Sequence, residues 1–549
     1  MALSALLALQ VAWGGWFIWR TSFEVEGVRT FCLFDDAMIS MTYARNLVHG
    51  YGLEWARYGH PVEGFTHPLW LFLMVPIQLL PVGIQKTSLV VQCLSLALLV
   101  LNVLAVRRLV LRHFSWPGGR TWLPAAVLTA FYYPLNHWAL QGMESGLQAL
   151  LVVLAVDLAL SITGHRASNE MDPDPGRREL ALFSVLAAAY LLRMDMAILV
   201  VLALGWVAVR GGFPRARLRS WGPGLALLLA VAGGYELFRW LYFGDPLPNT
   251  YYLKLSGIPL EVRVLRGLWA FWRFAEPLTV PFVAVAAGVA WLSRKDRRAL
   301  LPAAVVLAFF AYSIYVGGDA WEWKQVGANR FVCFVVPLVF VLFNAVVNRV
   351  LHLLWSRAGE AGWRRRTAWT ARTSVAVLTV GLLLLADGAW DAAGWRKVLV
   401  RELPLNVGGQ ARYARDTLAL EHAGWLAPDA RVAVVWGGIP AYFSTWELVD
   451  MLGYNDRWVA HQPPSFHLTP KNYRWARPGH LKLGYLHALV AHHPDLVFQT
   501  WRPDGKDWSG MLRSHGYVWY RGYWVRKGSG KVDWRKGDEG GGSTAAVPR

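Results

Sequence analysis

Apolar runs long enough to cross a bilayer recur along most of this 549-residue chain, and short arginine-rich loops separate them. A spanning helix needs roughly 20 apolar residues, because lipid leaves every backbone polar group to be satisfied within the segment. Clear runs lie at 3–19, 87–106, 121–138, 145–162, 222–241, 278–293, 300–316, 330–350 and 373–390. Charged residues make up only 17% of the chain, against about 25% in soluble domains. That excludes a disordered chain, a collagen-like chain and a disulfide-rich secreted scaffold. Three cysteines, Cys32, Cys93 and Cys333, give neither a disulfide framework nor zinc spacing.

Two stretches are ambiguous. The run 69–81 is short and carries Pro76, and 179–210 is interrupted by Arg193 and Asp195. The positive-inside rule resolves both. Basic loops around Arg107–Arg112, Arg166–Arg178, Arg210–Arg219, Arg294–Arg298 and Arg357–Arg366 share one side under a single choice. In it, 69–81 is a re-entrant or interfacial helix, and 179–210 is two short spans turning at Arg193–Asp195. The expected fold is a polytopic α-helical membrane protein of about eleven spans, with its N-terminus inside, its C-terminus outside, and a retained first span. The excess of 55 Lys+Arg over 36 Asp+Glu is then topogenic, and no nucleic-acid module accompanies it.

The composition changes after residue 390. Arg431–Val435 and Leu496–Phe498 have the apolar character of buried strands, and 517–526 the pattern of a closing hairpin. The expected organisation is a membrane domain over 1–390, with a large first outer loop at 20–86. A soluble α/β domain follows over 391–526, and a disordered Gly/Ser/Lys-rich tail over 527–549. Gly437-Gly438 follows a strand, but no GxGxxG does, and no GxxxxGK[ST] occurs. Dinucleotide binding and ATP-driven pumping are therefore disfavoured.

The polar residues fall almost entirely on the outer side. The first outer loop holds Asp35-Asp36, then Tyr43 and Arg45-Asn46, then Gly50-Tyr51-Gly52-Leu53, then Val62-Glu63-Gly64 before Phe65-Thr66-His67-Pro68-Leu69-Trp70. Adjacent carboxylates outside a span suit a general base with an orienting partner, or a divalent-metal site for Mg²⁺, Mn²⁺ or Ca²⁺. The plainer alternative is an acidic first turn of a helix.

Taken together, these residues resemble the first periplasmic loop of GT-C-type membrane glycosyltransferases, in particular the polyprenyl-phosphate-arabinose-dependent arabinofuranosyltransferases. Met38 stands where an aromatic is usual and His67 where Asn is expected. Further matches follow in order: Gly142-Met143-Glu144; Arg193-Met194-Asp195; Gly244-Asp245-Pro246-Leu247-Pro248-Asn249-Thr250-Tyr251-Tyr252 with Lys254; Gly317-Gly318-Asp319-Ala320-Trp321 with Arg330; and Val449-Asp450 through Asn455-Asp456. The resemblance implies that Asp36 or Asp35 is the catalytic residue and that a lipid bilayer and a polyprenyl-phosphate-linked sugar are partners. It also implies a glycan or surface-protein acceptor such as a pilin, and a bacterial cytoplasmic membrane with the site facing the periplasm. Lys254, Arg330 and Arg193 are the cations placed to hold donor phosphate. Each could instead snorkel to headgroups or pair with an acid, as Arg193 with Asp195. Glu63, His67, Glu144, Asp245, Asn249, Tyr251, Tyr252 and Asp319 are the candidates for sugar or acceptor contact. Solvated-loop and interfacial-belt roles are the ordinary alternatives.

Two other functions compete. A transporter of a lipid-linked glycan would place charges near the bilayer midplane or show inverted repeats. Asp157 lies within an apolar run, but near its inner end. A non-catalytic envelope scaffold would keep its function when Asp35 and Asp36 are neutralised.

Overall fold

The computed structural model of the chain describes residues 1–57, 59–115, 121–167, 175–211, 215–276, 279–294, 296–320, 330–357, 407–501 and 507–534. Its elements form two compact units, each built from three separated segments of chain.

The first unit comprises Met1–Arg20, Gln92–Tyr235 and Gly267–Leu405. Among the described residues, seven helices in the chain are long and apolar enough to cross a membrane: Ala2–Thr21, Ile84–His113, Ser145–Gly164, Met194–Gly211, Ser220–Phe243, Arg297–Tyr315 and Arg330–Leu353. The other four expected spans differ for identifiable reasons. Residues 121–138 do not form one helix but two short ones, Leu123–Ala130 and Tyr133–Leu140. Pro134 has no N–H to continue the first helix. The Asn136 side chain donates to the carbonyls of Ala130 (3.0 Å) and Tyr132 (2.9 Å) that the break leaves open. Residues 175–192 form a helix with a charged start, and 279–293 a 15-residue helix. The stretch 373–390 lies outside the described residues. The turn expected near Arg193 is present, with Arg193 extended (φ −156°, ψ 134°) ahead of a 3₁₀ turn at Met194–Met196. Asp157 is buried against Arg108 (2.8 Å), Arg112 (3.2 Å) and His113 (3.0 Å). It is thus a charge-compensated structural acid.

The second unit comprises Thr21–Val91, Glu236–Arg266 and Asn406–Arg549. Strands β1 (Phe23–Val25) and β2 (Val28–Thr30) form a hairpin. Helices Asp35–Val48 and Pro68–Gln78 follow; the second is the short apolar helix anticipated at 69–81. A five-stranded mixed sheet has the order β4-β3-β5-β7-β6. β3 (Arg431–Val434), β4 (Glu447–Asp450) and β5 (Leu496–Val497) are parallel, and β6 (Tyr517–Tyr520) and β7 (Tyr523–Arg526) close it as an antiparallel hairpin. This is the expected C-terminal α/β region. Its core is not its own alone. Ile39, Tyr43, Leu53, Trp55 and Phe65 pack in one apolar cluster with Val432, Val434, Leu448 and Leu496. The α/β region therefore shares its hydrophobic core with the first loop.

Residues 527–534, expected to open a disordered tail, are instead packed on the core. Leu426 bridges Val532, Asp533 N–H donates to the Trp425 carbonyl (2.8 Å), and Val532 is buried. Apolar Val532 and Trp534, set among Gly and Lys, anchor residues 527–534 to the core. Residues 535–549 lie outside the described residues.

Helix Gly438–Phe443 packs against helix Asp35–Val48 so closely that a Cβ on Gly438 would lie 1.8 Å from the Asp35 carbonyl oxygen. Gly438→Ala is therefore expected to cost about 1–3 kcal/mol of stability by overpacking. Thermal unfolding of the full chain in nanodiscs checks this; an unchanged midpoint would contradict the close approach.

Candidate functional site

Helix Asp35–Val48 starts with two acids, which a helix N-terminus favours electrostatically. Their neighbours differ. Asp35 Oδ1 accepts from the backbone N–H groups of Gly438 (3.1 Å) and Ile439 (2.9 Å). Asp35 thereby caps the first turn of helix Gly438–Phe443. Ten residues on, the Arg45 guanidinium donates to the carbonyls of Ala441 (3.0 Å) and Tyr442 (2.5 Å) at that helix's other end. One helix thus satisfies both termini of the other. Desolvation, opposed by the Ile439 N–H and reinforced by the Asp36 charge, pushes the Asp35 carboxyl up to about 7.

Asp36 belongs to a different group. Its charge acts on His480, as does that of Lys254 with opposite sign. His480 is buried, and its ring centroid lies 5.6 Å from those of Trp436 and Trp501. The Nδ1–H assigned by its 3.1 Å contact donates to the Pro478 carbonyl, leaving Nε2 as the basic nitrogen. Burial pulls its pKa down to about 4. Lys254 Nζ sits 5.3 Å from the Tyr454 ring centroid. A neutral imidazole and a cation therefore lie among Trp436, Tyr454 and Trp501, within electrostatic range of the Asp36 carboxylate. Of the three expected phosphate ligands, only Lys254 shares this group. His480 went unrecognised in the sequence because nothing local ties residue 480 to residue 36.

The other second-unit motifs meet at a polar hub. Asp450 is buried, and it accepts from the N–H groups of Leu452 (2.8 Å), Gly453 (3.0 Å) and Asn455 (2.8 Å) and from the Asn455 amide (3.1 Å). Desolvation raises its carboxyl to about 6. Asn455 Oδ1 lies 3.1 Å from the Tyr43 hydroxyl, which also donates to the Val62 carbonyl (2.6 Å) and accepts from Gly64 N–H (3.0 Å). A Cβ on Gly64 would fall 1.9 Å from Asn455 Oδ1, so the Val-Glu-Gly motif needs its glycine. Asn249 is buried and donates to the carbonyls of Gly453 (2.9 Å) and Tyr454 (2.8 Å). Its amide nitrogen tethers the 244–254 segment to the Gly453–Tyr454 turn. Glu63 is buried against Arg239 (2.5 Å), and His67 Nε2 lies 2.6 Å from Ser40 Oγ. Both are committed to packing. Asp245 pairs with Arg457 (2.9 Å), Tyr252 stacks on His461 (4.1 Å), and Tyr251 is exposed. These last three border solvent.

The remaining expected residues lie in the first unit, as two ion clusters. Arg193 pairs with Asp195 (2.7 Å) and Glu144 (2.7 Å). Arg330 pairs with Asp319 through both carboxylate oxygens (2.8 and 3.1 Å) and lies over the Trp138 ring. The acid-pairing alternative thus holds for Arg193 and extends to Arg330. Neither guanidinium is kept for phosphate alone, because a buried arginine is stable only when its charge is matched. As for a metal at Asp35–Asp36, no third ligating His, Cys, Asp or Glu side chain joins the pair at ligand spacing among the described residues.

Residues 406–535 match a family model described as a domain of unknown function (DUF8728). No curated protein matches the sequence. Solved structures resemble the chain more extensively. ArnT from Cupriavidus metallidurans bound to undecaprenyl phosphate matches with a TM-score of 0.53 at 13% identity, over 81% of this chain and 85% of that one. Its apo form matches with a TM-score of 0.51 over the same shares. The Archaeoglobus fulgidus oligosaccharyltransferase tethered to an acceptor peptide matches with a TM-score of 0.48 at 14% identity, over 82% of this chain and 64% of that one. The fold is that of GT-C membrane glycosyltransferases. The chain is accordingly a multi-pass membrane protein with a C-terminal α/β region.

Asp35 (about 7) and Asp450 (about 6) both lie above the ordinary aspartate value of 3.8. The folded chain therefore holds protons that the unfolded chain has released. The stability this contributes is complete below about pH 4 and is lost as pH rises through 6 to 7. Asp35→Asn should flatten the decline in unfolding midpoint between pH 5 and 8. Parallel profiles for the variant and native chains would contradict the raised carboxyl.

Proposed function

We propose that this protein is a membrane glycosyltransferase that moves a sugar from a polyprenyl-phosphate-linked donor to an acceptor outside the cytoplasmic membrane. The observation that carries this reading is that the charges of Asp36 and Lys254 both act on His480, which lies among Trp436, Tyr454 and Trp501, within a fold shared with ArnT. In the proposed reaction an acceptor hydroxyl attacks the anomeric carbon, Asp36 takes the hydroxyl proton, and polyprenyl phosphate leaves. A carboxylate base makes a sugar hydroxyl a competent nucleophile, and Lys254 offsets the charge growing on the phosphate. Asp35 holds the start of helix Gly438–Phe443 against the helix that carries Asp36, and takes no proton from the acceptor.

The finer assignments follow from the motif resemblance: arabinofuranose as the sugar, and a glycan or a surface protein such as a pilin as the acceptor. The site faces the periplasm in this reading, which is where lipid-linked donors replace nucleotide sugars. Tyr251, Tyr252 and Asp245, at the solvent border, are the proposed acceptor contacts.

Turnover of labelled polyprenyl-phosphoryl-arabinose by the full chain in nanodiscs tests this proposal. Asp36→Asn should lower the rate by roughly 10²–10⁴. Lys254→Gln should raise the donor KM, and Asp35→Asn, which keeps an acceptor oxygen, should cost less than about tenfold. Turnover only of mannosyl or glucosyl carriers would change the sugar and keep the enzyme. Full activity of Asp36→Asn would remove the proposed base, and no turnover of any carrier would favour the scaffold.

A further inference from the structure

The α/β region contains a cleft of about 540 Å³ that the proposed transfer does not use. Asp456, His487 and His492 line it, together with Glu54, His60 and His461. The ligand atoms of Asp456, His487 and His492 all lie within 4.8 Å of one another. We propose that these three side chains bind a divalent transition-metal ion of the zinc class, with an open coordination position facing the cleft.

The backbone is shaped to bring the two imidazoles together. Residues five apart on an α-helix diverge by about 140°. Here Ala488–His492 is a π turn, in which the (i, i+5) spacing replaces (i, i+4) and brings His487 and His492 toward one face. Their ring centroids are 5.2 Å apart. The next residue, His493, leaves the turn in the left-handed region (φ 45°), a conformation that costs a non-glycine residue energy. The sheet resumes almost at once at Leu496.

The third ligand is held from the opposite side. Asp456 Oδ1 accepts from the Val459 N–H (2.9 Å), capping helix Arg457–His461. Its Oδ2 faces His492 Nε2 at 3.7 Å. That gap is longer than a hydrogen bond. It is close to the roughly 3.4 Å that separates two ligands on a tetrahedral cation with bonds near 2.1 Å. The His487 ring is fixed by stacking on Trp458 at 3.9 Å, with 13° between the planes. Two imidazoles and one carboxylate favour zinc-class ions over Mg²⁺ or Ca²⁺, which prefer all-oxygen shells. Three protein ligands leave a fourth position for water or for an oxygen of a bound molecule. His461, also on the cleft wall, lies 3.8 Å from Asp245 Oδ1. The open position is thus bordered by the segment carrying Asp245 and Tyr252.

The test is metal binding itself, so it stands apart from any transferase activity. Full-length protein is purified without a polyhistidine tag, stripped with chelator in nanodiscs, and titrated with Zn²⁺ against a chromophoric competitor. Co²⁺ absorption serves as a second readout. The expected result is one tight equivalent per chain and a Co²⁺ spectrum of mixed nitrogen and oxygen ligation. His487→Gln, His492→Gln and Asp456→Asn should each weaken binding about tenfold or more, while His467→Gln should not. Asn also caps helices well, so Asp456→Asn separates the ligand role from the capping role. Equal unfolding midpoints of the metal-free chains would show that the variants fold. Two results would overturn the proposal: no tight equivalent in the native chain, or an unchanged one in the His487→Gln/His492→Gln double variant.

Discussion

The second unit depends on one helix holding both ends of another. Helix Gly438–Phe443 has six residues, too few to be stable alone. Its N–H groups are met by Asp35 and its carbonyls by Arg45, both from helix Asp35–Val48. Without that clamp, buried backbone groups at both ends would go unpaired, at roughly 1–3 kcal/mol each. The shared apolar cluster around Tyr43, Trp55, Val434 and Leu448 forms on the same scaffold. Folding of the C-terminal sheet and folding of the first loop are therefore one event, although some 390 residues separate them in sequence.

This arrangement divides the labour of the acidic pair. Asp35 Oδ1 is fixed by two backbone N–H groups, which anchors that carboxyl to the start of helix Gly438–Phe443. Its neighbour one residue along acts on the charge balance of His480. Adjacent acids on a helix face directions about 100° apart. Asp35 can therefore serve structure while the Asp36 charge acts on His480. The resemblance alone could not choose between them.

The legible parts of the fold were those set by local pattern. Apolar length marked the helices, the short runs at 431–435 and 496–498 marked buried strands, and 517–526 marked the closing hairpin. Legibility failed where a single residue acts locally or where contacts are long-range. Pro134 divides what composition alone makes a span. Val532 and Trp534 were hidden in a low-complexity tail. In the candidate site, the motifs named residue types, but the chemistry of each residue was open. Asn249, Glu63 and Gly64 carry the look of a binding site and are spent on buried hydrogen bonds and close packing. Arg193 and Arg330 found acids instead of an open face. A residue type shows what a side chain can bind; only its neighbours in space show whether that capacity is already used.

The central claim is that Asp36 and Lys254 mark the place where a lipid phosphate meets the acceptor. A structure of the full chain in nanodiscs with undecaprenyl phosphate tests it most directly. The account predicts phosphate density within hydrogen-bond distance of Lys254 Nζ and beside the Asp36 carboxylate, with Asp35 still bound to the Gly438 and Ile439 N–H groups. Phosphate bound at the Arg193 or Arg330 cluster, with Lys254 and Asp36 untouched, would contradict it.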